Sequence, residues 1–127
     1  MAKAKPKILV VDDEQNIVDL ISIVLRGEGY DVETALNGLE ALKKLQKNLP
    51  ALVILDVNMP QLDGWSVLSS IRATEETRAL PVLMCTNKDL VSDVERAEVL
   101  GATGYIPKPF EIERVVRKVK QILGPGV

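Results

Sequence analysis

The sequence predicts an α/β domain, a five-stranded parallel sheet doubly wound by five helices, in the flavodoxin-like strand order 2-1-3-4-5. Three observations predict it. Strand-length apolar runs alternate with helix-length amphipathic stretches five times along 127 residues. Three of those runs, residues 8–11 (ILVV), 52–55 (LVIL) and 82–85 (VLMC), are uninterrupted, as strands covered on both faces must be. The other two, residues 31–35 and 104–106, are polar or glycine-broken, which suits edge strands. Right-handed crossovers then place helices 1 and 5 on one face and helices 2, 3 and 4 on the other.

Strand 1 is expected at about 7–11. Helix 1 follows over about 14–27, with Ile17, Leu20, Ile21, Val24 and Leu25 spaced to share one face, and Gly29-Tyr30 ends it. In strand 2, residues 31–35, Val32 alternates with Asp31 and Glu33. Helix 2 starts near Asn37, a favoured N-cap, carries Leu39, Leu42 and Leu45, and stops before Pro50. Strand 3 covers 52–55. Asp63-Gly64 reads as a turn before helix 3, with glycine supplying an unusual backbone angle, and Val67, Leu68 and Ile71 form the helix's apolar face. Trp65 reads as packing. Strand 4 covers 82–85, and helix 4 runs over about 90–100 until Gly101. Strand 5 covers 104–106. Helix 5 spans about 111–123, with Ile112, Val115, Val116, Val119 and Leu123 inward and Gly124-Pro125 as its stop. The whole chain, 1–127, reads as a single domain, with a flexible basic tail at 1–6 and a short tail at 124–127.

Composition excludes more than it proposes. There is no histidine, so serine-histidine chemistry, histidine metal sites and a phosphohistidine-donor role are all excluded. The lone cysteine, Cys85, lies in an apolar run and can form no internal disulfide, which fits a cytoplasmic setting. No apolar run approaches the length of a membrane span, and the basic N-terminus lacks the apolar core of a signal peptide. The net charge of −2 carries no nucleic-acid footprint. Arg114, Arg117, Lys118 and Lys120 read as a solvated helix face.

The chemistry gathers just past the strand ends. Asp12-Asp13 follows strand 1, Asp56 strand 3, Thr86 strand 4 and Lys108 strand 5. Ligands of doubly wound sheets bind at this carboxyl edge, where the strand order reverses, here between strands 1 and 3. Singly, each residue has a plain reading: helix capping for Asp12-Asp13, a loop start for Asp56, a turn for Thr86, a solvated loop lysine for Lys108. Together they favour another. Two carboxylates about 4 Å apart repel by about 4 kcal/mol at an effective dielectric near 20. Three of them must take up protons or bind a cation, and an all-oxygen donor set best fits Mg²⁺. Lys108, held between Pro107 and Pro109, and the Thr86 hydroxyl suit the oxygens of a phosphoryl group.

The motifs VVDDE (10–14), LDVNMPQLDGW (55–65), MCTN (84–87) and GYIPKPF (104–110) resemble the receiver domain of two-component response regulators, CheY-like and single-domain. Four separated motifs in order and at the right spacing cover nearly the whole chain, from Ile8 to Leu123. The resemblance implies that Asp56 accepts a phosphoryl group from a sensor histidine kinase or a histidine phosphotransferase. It implies that Mg²⁺ is bound by Asp13, Asp56 and the Asn58 backbone carbonyl, with Asp12 acting through water. It assigns Lys108 and Thr86 to the phosphoryl oxygens, Thr86 and Tyr105 to a switch that reshapes the face of helix 4, strand 5 and helix 5, and a cis bond to Lys108-Pro109. Asn58, Asn87 and Lys88 fall at positions that tune phosphoryl lifetime. Asn87 departs from the family's usual small residue and is expected to alter phosphorylation or dephosphorylation rates.

The expectation is therefore a phosphoacceptor signalling module. It is no enzyme beyond its own phosphorylation and dephosphorylation, acts through an unidentified protein target without direct nucleic-acid or membrane contact, and is a monomer or weak dimer. Two alternatives stand beside it. One is a receiver-like scaffold that binds partners without phosphorylation. The other is a metal-dependent phosphohydrolase, although such enzymes on related sheets place an Asp-x-Asp motif after strand 1, where this chain has adjacent Asp12-Asp13.

Overall fold

The computed structural model describes residues 5–86, 91–109 and 111–126. The elements run β1 Lys7–Val11, α1 Gln15–Gly27, β2 Asp31–Ala35, α2 Gly38–Lys47, β3 Leu52–Asp56, α3 Gly64–Ala73, β4 Val82–Thr86, α4 Val91–Val99, β5 Gly104–Pro107 and α5 Ile112–Leu123. A short 3-10 turn, Glu75–Thr77, was not anticipated. All strands are parallel, in the order β2-β1-β3-β4-β5. This is the expected doubly wound topology.

Strand alternation divides the core in two. Leu9, Val11, Val53, Leu55, Val82 and Met84 point to the side covered by Ala41 and Leu45 of α2, Leu68 and Ile71 of α3 and Ala97 of α4. Their neighbours Ile8, Val10, Leu52, Ile54, Leu83 and Cys85 point to the side covered by Ile21 and Leu25 of α1 and Val115 and Val119 of α5. Each such aliphatic side chain stabilises the fold by about 1.5–3 kcal/mol relative to exposure. The helices divide between the faces as right-handed crossovers require.

Helix starts follow their local chemistry. Asn37 Oδ1 accepts the Glu40 N–H at 2.8 Å at the start of α2, and Asp63 Oδ1 accepts the Ser66 N–H at 2.9 Å at the start of α3. Either cap is worth about 1 kcal/mol.

Several expectations need correction. The inward face of α1 is Val18, Ile21, Ser22 and Leu25, while Leu20 is 51% exposed. Residues 17–25 are apolar at seven of nine positions, so periodicity alone does not fix the helix's rotation, and packing against the sheet and α5 does. Leu39 on α2 is likewise exposed, because the helix approaches the sheet through Ala41 and Leu45. Pro6, expected in the tail, accepts the Asp31 N–H at 2.9 Å. At the other end Tyr30 Oη donates to the Gly124 carbonyl at 2.6 Å, which ties that residue to the β2 edge.

Turning α1 inward through Ser22 leaves its hydroxyl buried with no hydrogen-bond partner among the described residues. An unpaired buried hydroxyl costs about 1 kcal/mol or more, and alanine is the better helix former. Ser22→Ala is therefore expected to raise stability by about 1 kcal/mol, seen as a higher urea midpoint at unchanged m. A lower midpoint would show that the hydroxyl is paired in solution.

Candidate functional site

Asp12 leaves β1 still paired to β2, its N–H donating to the Ala35 carbonyl at 3.2 Å. Its side chain works twice. Oδ1 accepts the Glu14 N–H at 2.9 Å and steers the chain into α1, and Oδ2 accepts from Lys108 Nζ at 2.8 Å. The N-cap of α1 is Glu14, whose side chain makes no capping hydrogen bond, so Asp12 shapes the turn before the helix with one oxygen and pairs with Lys108 through the other. Asp13 is exposed beside it.

Asp56 is the last residue of β3, in register with Cys85 of β4, and is 2% exposed. Its Oδ1 lies 3.0 Å from Lys108 Nζ, but the ammonium is off the line of a hydrogen bond, so that buried oxygen accepts none among the described residues. Ligand oxygens of Asp12, Asp13 and Asp56 all lie within 4.8 Å of one another. Burial, and then the charge of Asp12, push the Asp56 carboxyl up to about 6, against the opposing pull of Lys108 and the Asn58 backbone. Burial alone would lower the pKa of Lys108, but its hydrogen bond to Asp12 and the nearby charges of Asp12 and Asp56 outweigh that and raise it. The ammonium stays charged and only partly neutralises the carboxylates. An oxygen-only donor set with such a buried acceptor fits a hard divalent cation.

Lys108 is placed by the end of the sheet. Its N–H donates to the Thr86 carbonyl at 2.5 Å, which extends the β4–β5 pairing, and the Lys108–Pro109 peptide is cis. Thr86 ends β4 and is 2% exposed. Tyr105 pairs in register with Met84, so by strand alternation it lies on the same sheet face as Thr86, and it packs on the apolar cluster of that face. The side chain of Asn58 is exposed in the loop after β3. Asn87 and Lys88 lie outside the described residues. The Cys85 thiol, pushed up to about 12 by burial, is chemically inert beneath this site.

The role of Gly64 differs from the expected one. Its φ is not positive; the positive-φ glycines are 29, 101 and 124. What it provides is space. A Cβ there would sit 2.2 Å from the Asp56 carbonyl oxygen and 2.9 Å from Val57 Cα. The Gly64 N–H also donates to the Val57 carbonyl at 2.9 Å. Glycine therefore lets α3 start directly against the backbone of Asp56. Between them Gln61 holds φ 70°, a left-handed conformation that side chains adopt at a cost of about 1–2 kcal/mol. No local pattern distinguishes a packing glycine from a turn glycine.

An acidic cluster with an ion-paired lysine, at the carboxyl edge of a doubly wound sheet, defines the class. Residues 8–120 match the family described as response regulator receiver domain. The chain belongs to that family. It is 46% identical over 117 residues to the alkaline phosphatase synthesis transcriptional regulatory protein PhoP of Bacillus subtilis, covering 92% of this chain and 48% of that one. It is 36% identical over 118 residues to the DNA-binding dual master transcriptional regulator RpaA of Synechocystis, covering 93% and 49%. The chain thus spans about half the length of these curated relatives. Among solved structures, the chemotaxis response regulator CheY4 of Vibrio cholerae superposes with a TM-score of 0.89 at 35% identity, covering 94% of this chain and 100% of that one. A response regulator from Chloroflexus aurantiacus gives 0.89 at 38%, covering 94% and 98%.

Proposed function

We propose that this receiver domain of a two-component system takes a phosphoryl group onto Asp56 from a phosphohistidine on a sensor kinase or phosphotransferase. The single observation that carries the reading is the setting of Asp56. It is 2% exposed, 3.0 Å from an ammonium, and within a triad of carboxylates whose ligand oxygens span no more than 4.8 Å. In the step, an Asp56 oxygen forms the new bond to phosphorus, the phosphorus–nitrogen bond breaks, and the imidazole leaves with that electron pair. The product is an acyl phosphate.

Asp12, Asp13, Asp56 and the backbone carbonyl of Asn58 are the groups that would hold Mg²⁺. When bound, the cation neutralises charge on the phosphoryl oxygens. Lys108 supplies a second positive charge on a backbone fixed by the β4–β5 pairing, and Thr86 offers a hydroxyl to a phosphoryl oxygen. Such placement of charge is the main protein contribution to phosphoryl transfer. Output follows from the shared sheet face of Thr86 and Tyr105: drawing the threonine toward the phosphoryl group frees space for the tyrosine ring, and the α4–β5–α5 surface changes shape. Asn87 tunes the lifetime of the phosphoryl group.

The test is mass spectrometry after incubation with Mg²⁺ and acetyl phosphate. One phosphoryl mass is expected on the wild type and none on Asp56→Asn. Beryllofluoride binding is the second route if Asn87 slows small donors. Incorporation that survives Asp56→Asn would move the acceptor elsewhere, and sustained phosphate release from an added ester would instead indicate a phosphohydrolase.

A further inference from the structure

We infer that Arg96 on α4 is a positioning residue for the phosphoacceptor loop, acting through Trp65, and that it holds α4 in the arrangement where Asp56 is a free carboxylate paired with Lys108. The inference rests on the phosphoacceptor reading of Asp56.

Three contacts make the connection. The Asp56 carbonyl lies against Gly64 with no room for a Cβ, so any displacement of the Asp56 backbone is passed to the first residue of α3. Trp65 follows immediately, 5% exposed and part of the same apolar cluster as Met59, Met84 and Ala97. Arg96 places its guanidinium 5.0 Å from the centroid of the Trp65 ring, within cation–π range. Asp56 and α4 are thus joined through two consecutive residues.

The ties between α3 and α4 are unequal. At the far end of α4, Arg72 of α3 donates from Nε to the Gly101 carbonyl at 2.8 Å and is itself braced on the Leu80 carbonyl at 2.6 Å. Those directed hydrogen bonds from a charged donor fix the C-terminal end of α4. Nearer the site, the Trp65–Arg96 contact is one non-directional attraction made by an exposed arginine, beside an open cleft of about 540 Å³ between the helices. The firm tie is a pivot and the weak tie is a latch. The latch is present together with the Asp56–Lys108 ion pair. It is assigned to that arrangement and not to the loaded one. Releasing it shifts the population toward the loaded one, and by linkage raises the affinity of the site for a phosphoryl mimic.

Trp65 is the sole tryptophan, so its emission reports this one position. The experiment titrates Mg²⁺ and beryllofluoride into wild type, Arg96→Gln and Arg96→Lys, following tryptophan emission and, independently, bound fluoride by ¹⁹F NMR. Arg96→Gln is expected to bind beryllofluoride about two- to fivefold more tightly, the equilibrium equivalent of one exposed cation–π contact. Its ligand-free emission should move only part of the way toward that of loaded wild type, as a shift of that size allows. Arg96→Lys keeps a cation over the ring and should behave as wild type. Equal or weaker binding by Arg96→Gln, with bound fluoride present in both proteins, overturns the latch and leaves the phosphoacceptor reading intact. No bound fluoride in wild type overturns both.

Discussion

With divalent cations chelated at pH 7, Asp56→Asn is expected to be about 2 kcal/mol more stable than the wild type. The reason is the cost of keeping that carboxylate charged. Burial and the neighbouring Asp12 raise the folded carboxyl from 3.8 to about 6, so the native state binds the proton more tightly than the unfolded chain does. Protonation therefore stabilises the fold. This contribution is fully present below about pH 4, and is lost as pH rises through about 6. Above that pH the wild type bears a penalty that the isosteric amide lacks. The full interval would correspond to about 3 kcal/mol, and solvent reaching the cluster from the exposed Asp13 side reduces it to about 2. Urea denaturation of both proteins at pH 4, 5, 6 and 7 checks this. The gap should open between pH 4 and 6 and then level off. Adding Mg²⁺ should narrow it, because a cation that binds only the native carboxylate cluster stabilises the wild type by mass action. Coincident midpoints at pH 7 would mean that Lys108 already compensates the cluster fully.

Gly64→Ala is expected to cost about 3 kcal/mol, lower Tm by about 10 °C and abolish phosphoryl incorporation together. The added Cβ would lie 2.2 Å from the Asp56 carbonyl oxygen, and that neighbour is backbone, which cannot swing aside. Relief requires α3 to lift away from the end of β3, which breaks the Gly64–Val57 hydrogen bond and displaces the phosphoacceptor. Gly27, the last residue of α1, is the control. A Cβ there meets nothing within 4 Å, so Gly27→Ala should be neutral or stabilising by a few tenths of a kcal/mol. Thermal melts separate the two cases. A Gly64→Ala protein as stable as wild type would show that the α3 start is more pliant than the packing implies.

Much of the candidate site was legible because its residues sit where local pattern is strongest. Apolar runs of strand length mark β1, β3 and β4, and the residue just past each run must emerge at the carboxyl edge. Asp12, Asp13, Asp56 and Thr86 are placed by that rule with no knowledge of packing, and Lys108 by the weaker, glycine-broken run of β5. Asn37 was equally local, because an N-cap is decided within one turn of chain, while Asp63, read as part of a turn, proves to be the N-cap of α3. The rotation of α1 was not legible. With apolar residues around most of its circumference, several faces could have been buried, and contact with the sheet and α5 chose Ser22 over Leu20. The purpose of Gly64 was hidden for the same kind of reason, since its neighbour is a carbonyl eight residues earlier in the chain.

The sequence by itself determined the strand order, the two-sided core and the list of groups at the sheet's carboxyl edge, because periodicity and strand ends are properties of adjacent residues. Tertiary structure alone decided how those groups divide their work. It brought Lys108 onto Asp12 and left Asp56 Oδ1 with no hydrogen bond among the described residues. It pressed Gly64 against the Asp56 backbone and laid Arg96 over Trp65. These are distances fixed by how the layers pack, and the spacing of the residues along the chain does not encode them.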